Sequence, residues 1–149
     1  MTKDILQSDR VVMVGWVGDV DTEDVLRLLH EISRARQRLG APIVAILSIA
    51  EEASVTSAST RAALAGSLPR ILSHCQKFLL ALAPATLRQR LIRAFFLSHA
   101  TSAAASSSVQ LCDSLPEAIE CAQRLAPQEV LELQRALLKQ STQTCSVRP

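Results

Sequence analysis

The sequence predicts a single α/β domain: a mostly parallel sheet of four or five strands flanked by helices, with one extra helix at the C-terminal end. Three observations predict it. Short apolar runs rich in β-branched residues recur at 11–17 (VVMVGWV), 43–49 (IVAILSI) and 78–83 (FLLALA), each of strand length. Each run is followed by a longer segment with helical periodicity, and strands alternating with helices imply parallel pairing with helices packed on the faces. The chain has 149 residues, 48% of them hydrophobic and 20% charged, enough for one core without disulfides or metal.

A short first strand is expected around 5–7, turning at Ser8 and Asp9 into the run at 11–17. Asp21 or Thr22 then caps a helix whose first turn holds Glu23 and Asp24, where acids favour the helix dipole. Val25, Leu28, Leu29, Ile32, Ala35 and Leu39 repeat at the helical period, and Gly40 followed by Pro42 stops the helix. After the strand at 43–49 comes a Ser/Thr/Ala-rich loop, 51–60, and a helix over 59–75 with Leu64, Leu68, Ile71, Leu72 and Cys75 inward. Pro69 lies inside it and removes a backbone donor, so a kink near Gly66 and Ser67, or two short helices, is expected.

The strand at 78–83 leads to a helix capped by Thr86 and running to 100, with Leu87, Leu91, Ile92, Phe95 and Phe96 inward and Arg88, Arg90 and Arg93 on the remaining surface. Residues 101–108 read as a small-residue loop or a frayed helix end, 109–112 as a short last strand, and 116–125 as a helix opened by Pro116. Pro127 starts a final amphipathic helix to 140, either docked on its own domain or paired with another chain. The division is thus a domain over 1–126, a helix over 127–140 and a disordered tail over 141–149.

The N-terminal segment carries charges where a signal peptide has its apolar stretch, and no apolar run approaches the roughly 18 residues that cross a membrane. A cytoplasmic protein is expected. Cys75, Cys112 and Cys121 then read as small buried hydrophobes and Cys145 as an exposed thiol. His30, His74 and His99 show no metal-ligand spacing with each other or with the cysteines, so neither metal nor cofactor is implied.

The net charge of +2 conceals an asymmetry. No acid occurs between Glu52 and Asp113, a span that carries Arg61, Arg70, Lys77, Arg88, Arg90 and Arg93. Such a stretch is either a solvated basic face or a surface for an acidic partner or anionic ligand. Nucleic acid is not expected, because the three Phe, one Trp and absent Tyr offer no stacking platform.

Gly15 and Gly18 lie in GWVGDV, which is neither a dinucleotide-binding nor a P-loop pattern; Gly15 reads as a close-packing position and Gly18 as the end of the strand. Asp19, Asp21, Glu51 and Glu52 follow two parallel strands, where α/β proteins bind ligands. A magnesium-dependent phosphoacceptor site would also need an Asp after the third strand and a following Lys. Here that strand ends in Ala83-Pro84-Ala85, and the next Lys is Lys139, so these acids read as capping and loop residues. Ser54, Thr56, Ser57, Ser59 and Thr60 crowd one loop before a helix, a place for capping or for a phosphate held by the helix N-terminus with help from Arg61. No acid/base pair, triad or GxSxG elbow accompanies them, so a non-enzymatic protein is expected.

The strand VVMVGWVGDVDTEDV running into its helix, the strand IVAILSIA with its Ser/Thr-rich loop, and the closing VQLCDSLPEAIECAQRLA together resemble the STAS or anti-sigma-factor-antagonist domains, and more loosely their SEC14-like relatives in bacteria. The resemblance spans about residues 5–126. It implies a regulatory protein-interaction module in which a Ser or Thr at a helix start, often in an Asp-x-Ser-Gly-like context, is phosphorylated and so switches the partner that is bound. This chain has no Asp-Ser-Gly, and Ser57, Ser59 and Thr60 stand in the equivalent place.

The leading expectation is therefore a STAS-like signalling module with a protein partner. It would use the helix after the Ser/Thr loop and the neighbouring basic helix, with Ser57, Ser59 or Thr60 as phosphorylation candidates. The alternative is a binder of a small anionic or amphipathic ligand, lipid- or nucleotide-like, with Arg61, Arg88, Arg90 and Arg93 as the anion-binding set. A homodimer through the last helix or a sheet edge is compatible with both.

Overall fold

The computed structural model describes residues 1–100 and 108–145. In chain order its elements are β1 (Thr2–Gln7), β2 (Val11–Trp16), α1 (Thr22–Leu39), β3 (Ile43–Ile49), α2 (Ala58–Ser73), β4 (Cys75–Ala81), α3 (Leu87–Ala100), β5 (Val109–Cys112), α4 (Leu115–Leu125) and α5 (Pro127–Cys145). The loop expected within 101–107, the last four residues of the chain and the Cys145 side chain lie outside the described residues.

The five strands form one sheet in the order β1-β2-β3-β4-β5. β1 and β2 make an antiparallel hairpin closed by the Ser8 amide donating to the Val11 carbonyl at 2.9 Å. Every later neighbour is parallel. Each crossover therefore steps one strand in the same direction, and crossovers of one hand deposit their helices on one face. Accordingly α1, α2 and α3 share one core with the sheet, through Val25, Leu28 and Ile32, then Leu64, Leu68 and Ile71, then Ile92 and Phe96. The opposite face is covered by α4 and α5, through Ala118, Ala122, Val130 and Leu133.

This sandwich explains why β3 reads as an unbroken apolar run. Ile43, Ala45, Leu47 and Ile49 point to the first core, while Val44 and Ile46 point to the second. It also settles where the final helix goes: Val130 and Leu133 of α5 are buried in the domain's own second core, leaving Leu131 and Leu138 exposed.

Four local expectations are corrected. The third strand begins three residues earlier and ends at Ala81, because Ile43 pairs with Cys75 and extends the ladder back. α2 is one helix over Ala58–Ser73 despite Pro69. Pro69 is exposed, so its ring lies on the outer side of the helix, away from the core. α5 continues through 141–145, where a disordered tail was expected; the Ser141 and Thr142 hydroxyls bond back to the Leu137 and Leu138 carbonyls at 3.1 and 3.2 Å. Gly15 is no close-packing position, since a Cβ there would meet Asp4 only at 3.9 Å, ordinary contact.

The end of α1 does depend on glycine. Gly40 has φ 71° and its amide donates to the Arg36 carbonyl at 3.0 Å, closing the last turn. Gly40→Ala is expected to lower stability by about 1–2 kcal/mol, the cost of a Cβ in the left-handed region. A urea titration reads this as a lower midpoint at unchanged slope.

Candidate functional site

The carboxyl ends of the parallel strands are where an α/β sheet presents its loops, and this is where the structure gathers most of the residues singled out above. The segment between β3 and α2 is not a slack Ser/Thr loop. Its Ser54 amide donates to the Gly18 carbonyl, and the Val20 amide donates to the Ser54 carbonyl, both at 2.9 Å. The Ser54 hydroxyl donates to Asp19 Oδ1 at 2.7 Å. Asp19 thus pins this segment to the end of β2, and Asp21 caps α1, which accounts for two of the four acids as structural residues.

Past that pinned segment α2 begins. Ser57 is its N-cap and accepts from the Thr60 amide at 3.4 Å, while the Ser57 and Ser59 hydroxyls lie 2.6 Å apart. Ser57 and Ser59 are exposed, whereas Thr60 is only 2% exposed and faces the core. One turn on, Arg61 Nη1 donates to the Thr56 carbonyl at 2.6 Å, so its guanidinium folds back along the loop.

α3 forms the other side. Thr86 caps it: its hydroxyl accepts from the Gln89 amide at 3.2 Å and its own amide donates to Gln89 Oε1 at 3.0 Å. This reciprocal cap draws Gln89 into the interior and sets the rotation of the helix, so that Gln89, Ile92 and Phe96 are its buried residues. Leu87 and Leu91, expected inward, are instead 72% and 61% exposed.

Between these elements lies a cavity of about 350 Å³. Leu64 of α2 and Leu91, Ile92, Phe95 and Phe96 of α3 supply its apolar surface, and residues 54–56 form its rim. Phe95 meets Phe96 edge-on, with ring centroids 6.2 Å apart. Arg61 and Arg88 are also among the residues that line it. Among the described residues neither is ion-paired.

The structure divides the four expected arginines. Arg61 and Arg88 both line the cavity, although they are far apart in sequence and on different helices. Arg93 is committed elsewhere: its Nη1 donates to the Leu82 carbonyl at 3.0 Å and to Asp113 Oδ1 at 2.8 Å, tying α3 to the ends of β4 and β5. Arg90 Nε donates to the Pro84 carbonyl at 3.3 Å. Neither lines the cavity. The sequence showed the basic stretch, but Leu64, Leu91 and Phe95 as cavity walls had no signal apart from their apolarity.

Burial pushes the Cys75 thiol up to about 12. Burial, with the neighbouring Cys121 adding to it, does the same to Cys112. Neither supplies a thiolate near neutral pH. Among the described residues no group of three or more His, Cys, Asp or Glu is placed to hold a metal, and no helix is long and apolar enough to cross a membrane. No protein-family model matches the chain, and no curated protein matches its sequence.

Proposed function

We propose that the chain is a non-enzymatic regulatory module that docks a protein partner over the carboxyl end of its sheet, in the manner of the STAS-type domains it resembles. The observation that supports this reading is the ridge made by Leu87 and Leu91. These two large apolar side chains, one helical turn apart, are left 72% and 61% exposed beside Arg88. The interaction reading suits such a ridge, since apolar anchors ringed by charge are what protein interfaces use.

The same end of the molecule carries the exposed Ser57 and Ser59 at the start of α2. A phosphate on either would sit at a helix N-terminus, on the same turn as Arg61, and change the sign of the local surface. Thr60, being buried, drops out of the candidate set. In this reading the protein is a cytoplasmic signalling component of a bacterium, and the hydroxyl pair is its switch.

The test is crosslinked affinity isolation from the native cells with quantitative mass spectrometry. One polypeptide should copurify with the wild-type chain and fall by about tenfold or more with Leu87→Asp/Leu91→Asp. The Ser57→Glu/Ser59→Glu and Ser57→Ala/Ser59→Ala variants should differ from each other in its recovery. Equal recovery with the Leu variant overturns docking at the ridge, and equal recovery with the two Ser variants overturns the switch.

A further inference from the structure

We infer that the cavity between α2 and α3 binds one small amphipathic anion: an apolar body with a single carboxylate or phosphate head, the body against Phe95, Phe96 and Leu64 and the head between Arg61 and Arg88. The inference differs from the partner-docking reading in its ligand and in its test: Leu91 belongs both to the ridge and to the cavity lining, whereas Leu87 belongs to the ridge alone.

Its first support is the composition of the lining. Five apolar side chains from two helices surround the space, so water inside it finds few partners and is readily displaced. A purely apolar void would call for a neutral ligand, but two arginines are among the residues that line this one. Arg61 has one N–H engaged by the Thr56 carbonyl, which fixes the group while leaving its other donors for an oxyanion. Arg88 stands on α3, across the cavity from Arg61 on α2, so each of the two helices contributes one arginine to the lining.

The second support is charge. No acid occurs in the sequence from 53 to 112, the span that supplies every lining residue. Asp19 adjoins the lining, its Oδ1 accepting from the Ser54 hydroxyl at 2.7 Å, without itself lining the cavity. The lining itself therefore holds two arginines and no carboxylate, which favours an anionic ligand there. The third support is size. About 350 Å³ is at the lower end of the roughly 300–1,000 Å³ span of small-molecule sites, which suits a single short chain or ring system.

The full chain is titrated calorimetrically with decanoate, decyl phosphate and decanol, the first two supplying the alternative heads and the third the same body without charge. One or both anions should bind at an equimolar ratio, and decanol about tenfold more weakly or worse. Arg61→Gln/Arg88→Gln should weaken the anion by about tenfold or more while leaving decanol unchanged, which also shows that the variant is folded. Amide chemical shifts should move at residues 54–64 and 88–96. Absence of saturable anion binding, equal binding of decanol, an unaffected arginine variant or shifts confined to another surface would each overturn the inference. An acidic peptide that displaces decanoate only from the Leu87 ridge counts against it too. Because Leu87→Asp leaves the lining intact, it should retain decanoate binding whether or not partner docking survives.

Discussion

Phe96→Ala is expected to remove about 3–5 kcal/mol of stability, on the scale of a buried aromatic deleted from a core. Phe96 is 1% exposed, stacked on Phe78 at a centroid distance of 6.3 Å and 18° between planes, and edge-on to Phe95 at 6.2 Å. With Ile92 it is also one of the two α3 residues buried in the core, since Leu87 and Leu91 on the same helix contribute nothing to it. A domain of this kind holds only about 5–15 kcal/mol in total, so the variant should unfold at a clearly lower denaturant concentration. Phe96→Leu keeps most of the apolar volume and should lose less. A loss below about 1 kcal/mol for the Ala variant would mean that α3 is not seated through this ring. Since Phe96 also lines the cavity, the Ala variant should accept a bulkier apolar body than the wild type, provided it remains folded.

The contrast between α3 and the central strands shows what the sequence could reveal. β3 was legible because Ile43–Ile49 is buried on both faces, so every position had to be small or apolar and no register was needed to see it. α1 was legible because one face is apolar and one polar, with Asp21 at its start and Gly40 at its end. α3 was misread because its apolar residues cover more than one face. Leu87, Leu91 and Phe95 make one stripe and Ile92 and Phe96 another, while the inward face also takes a glutamine. Only the Thr86–Gln89 cap fixes the rotation, and that is a geometric fact. The arginines were legible as a class but not individually. Arg93 is satisfied by Asp113, twenty residues downstream and brought near only by β5, whereas Arg61 and Arg88 line one cavity because α2 and α3 pack against each other. The helical stretch at 141–145 carries no periodic apolar signal, and the Ser141 and Thr142 hydroxyls bond back to the preceding turn.

Asp24→Asn is expected to cost about 1.5–3 kcal/mol near neutral pH, the scale of hydrogen bonds to a charged group. The sequence placed Asp24 in the first turn of α1 as a dipole partner, but the structure gives it a larger task. Its Oδ1 accepts from the Thr2 amide and the Thr2 hydroxyl, both at 2.7 Å, and its Oδ2 accepts from the Asp21 amide at 3.0 Å. One carboxylate thus completes the capping box of α1 and anchors the start of β1. The Met1 ammonium lies 3.1 Å from Oδ2 but is 75% exposed, so its share of the effect is small. An amide at this position turns one acceptor into a donor and faces it towards the N–H or O–H groups of Thr2 and Asp21. Burial by itself would raise the Asp24 carboxyl. The Asp21 amide, the Thr2 hydroxyl, the N-terminal amine and the Thr2 amide outweigh it and hold the group well below the usual carboxylate range. A depressed acid contributes stability that is complete above its unfolded value of about 4 and is lost as the pH falls below it towards the folded value. The wild type should therefore lose stability between about pH 4 and pH 2 more steeply than Asp24→Asn, and the gap between them should narrow as the solution is acidified. Denaturant titrations of both proteins at pH 7, 4, 3 and 2 measure that gap, with all four values chosen to bracket the roughly pH 4 onset. A gap that stays constant down to the lowest pH would mean that the carboxylate's charge is irrelevant and that Asp24 acts through shape alone.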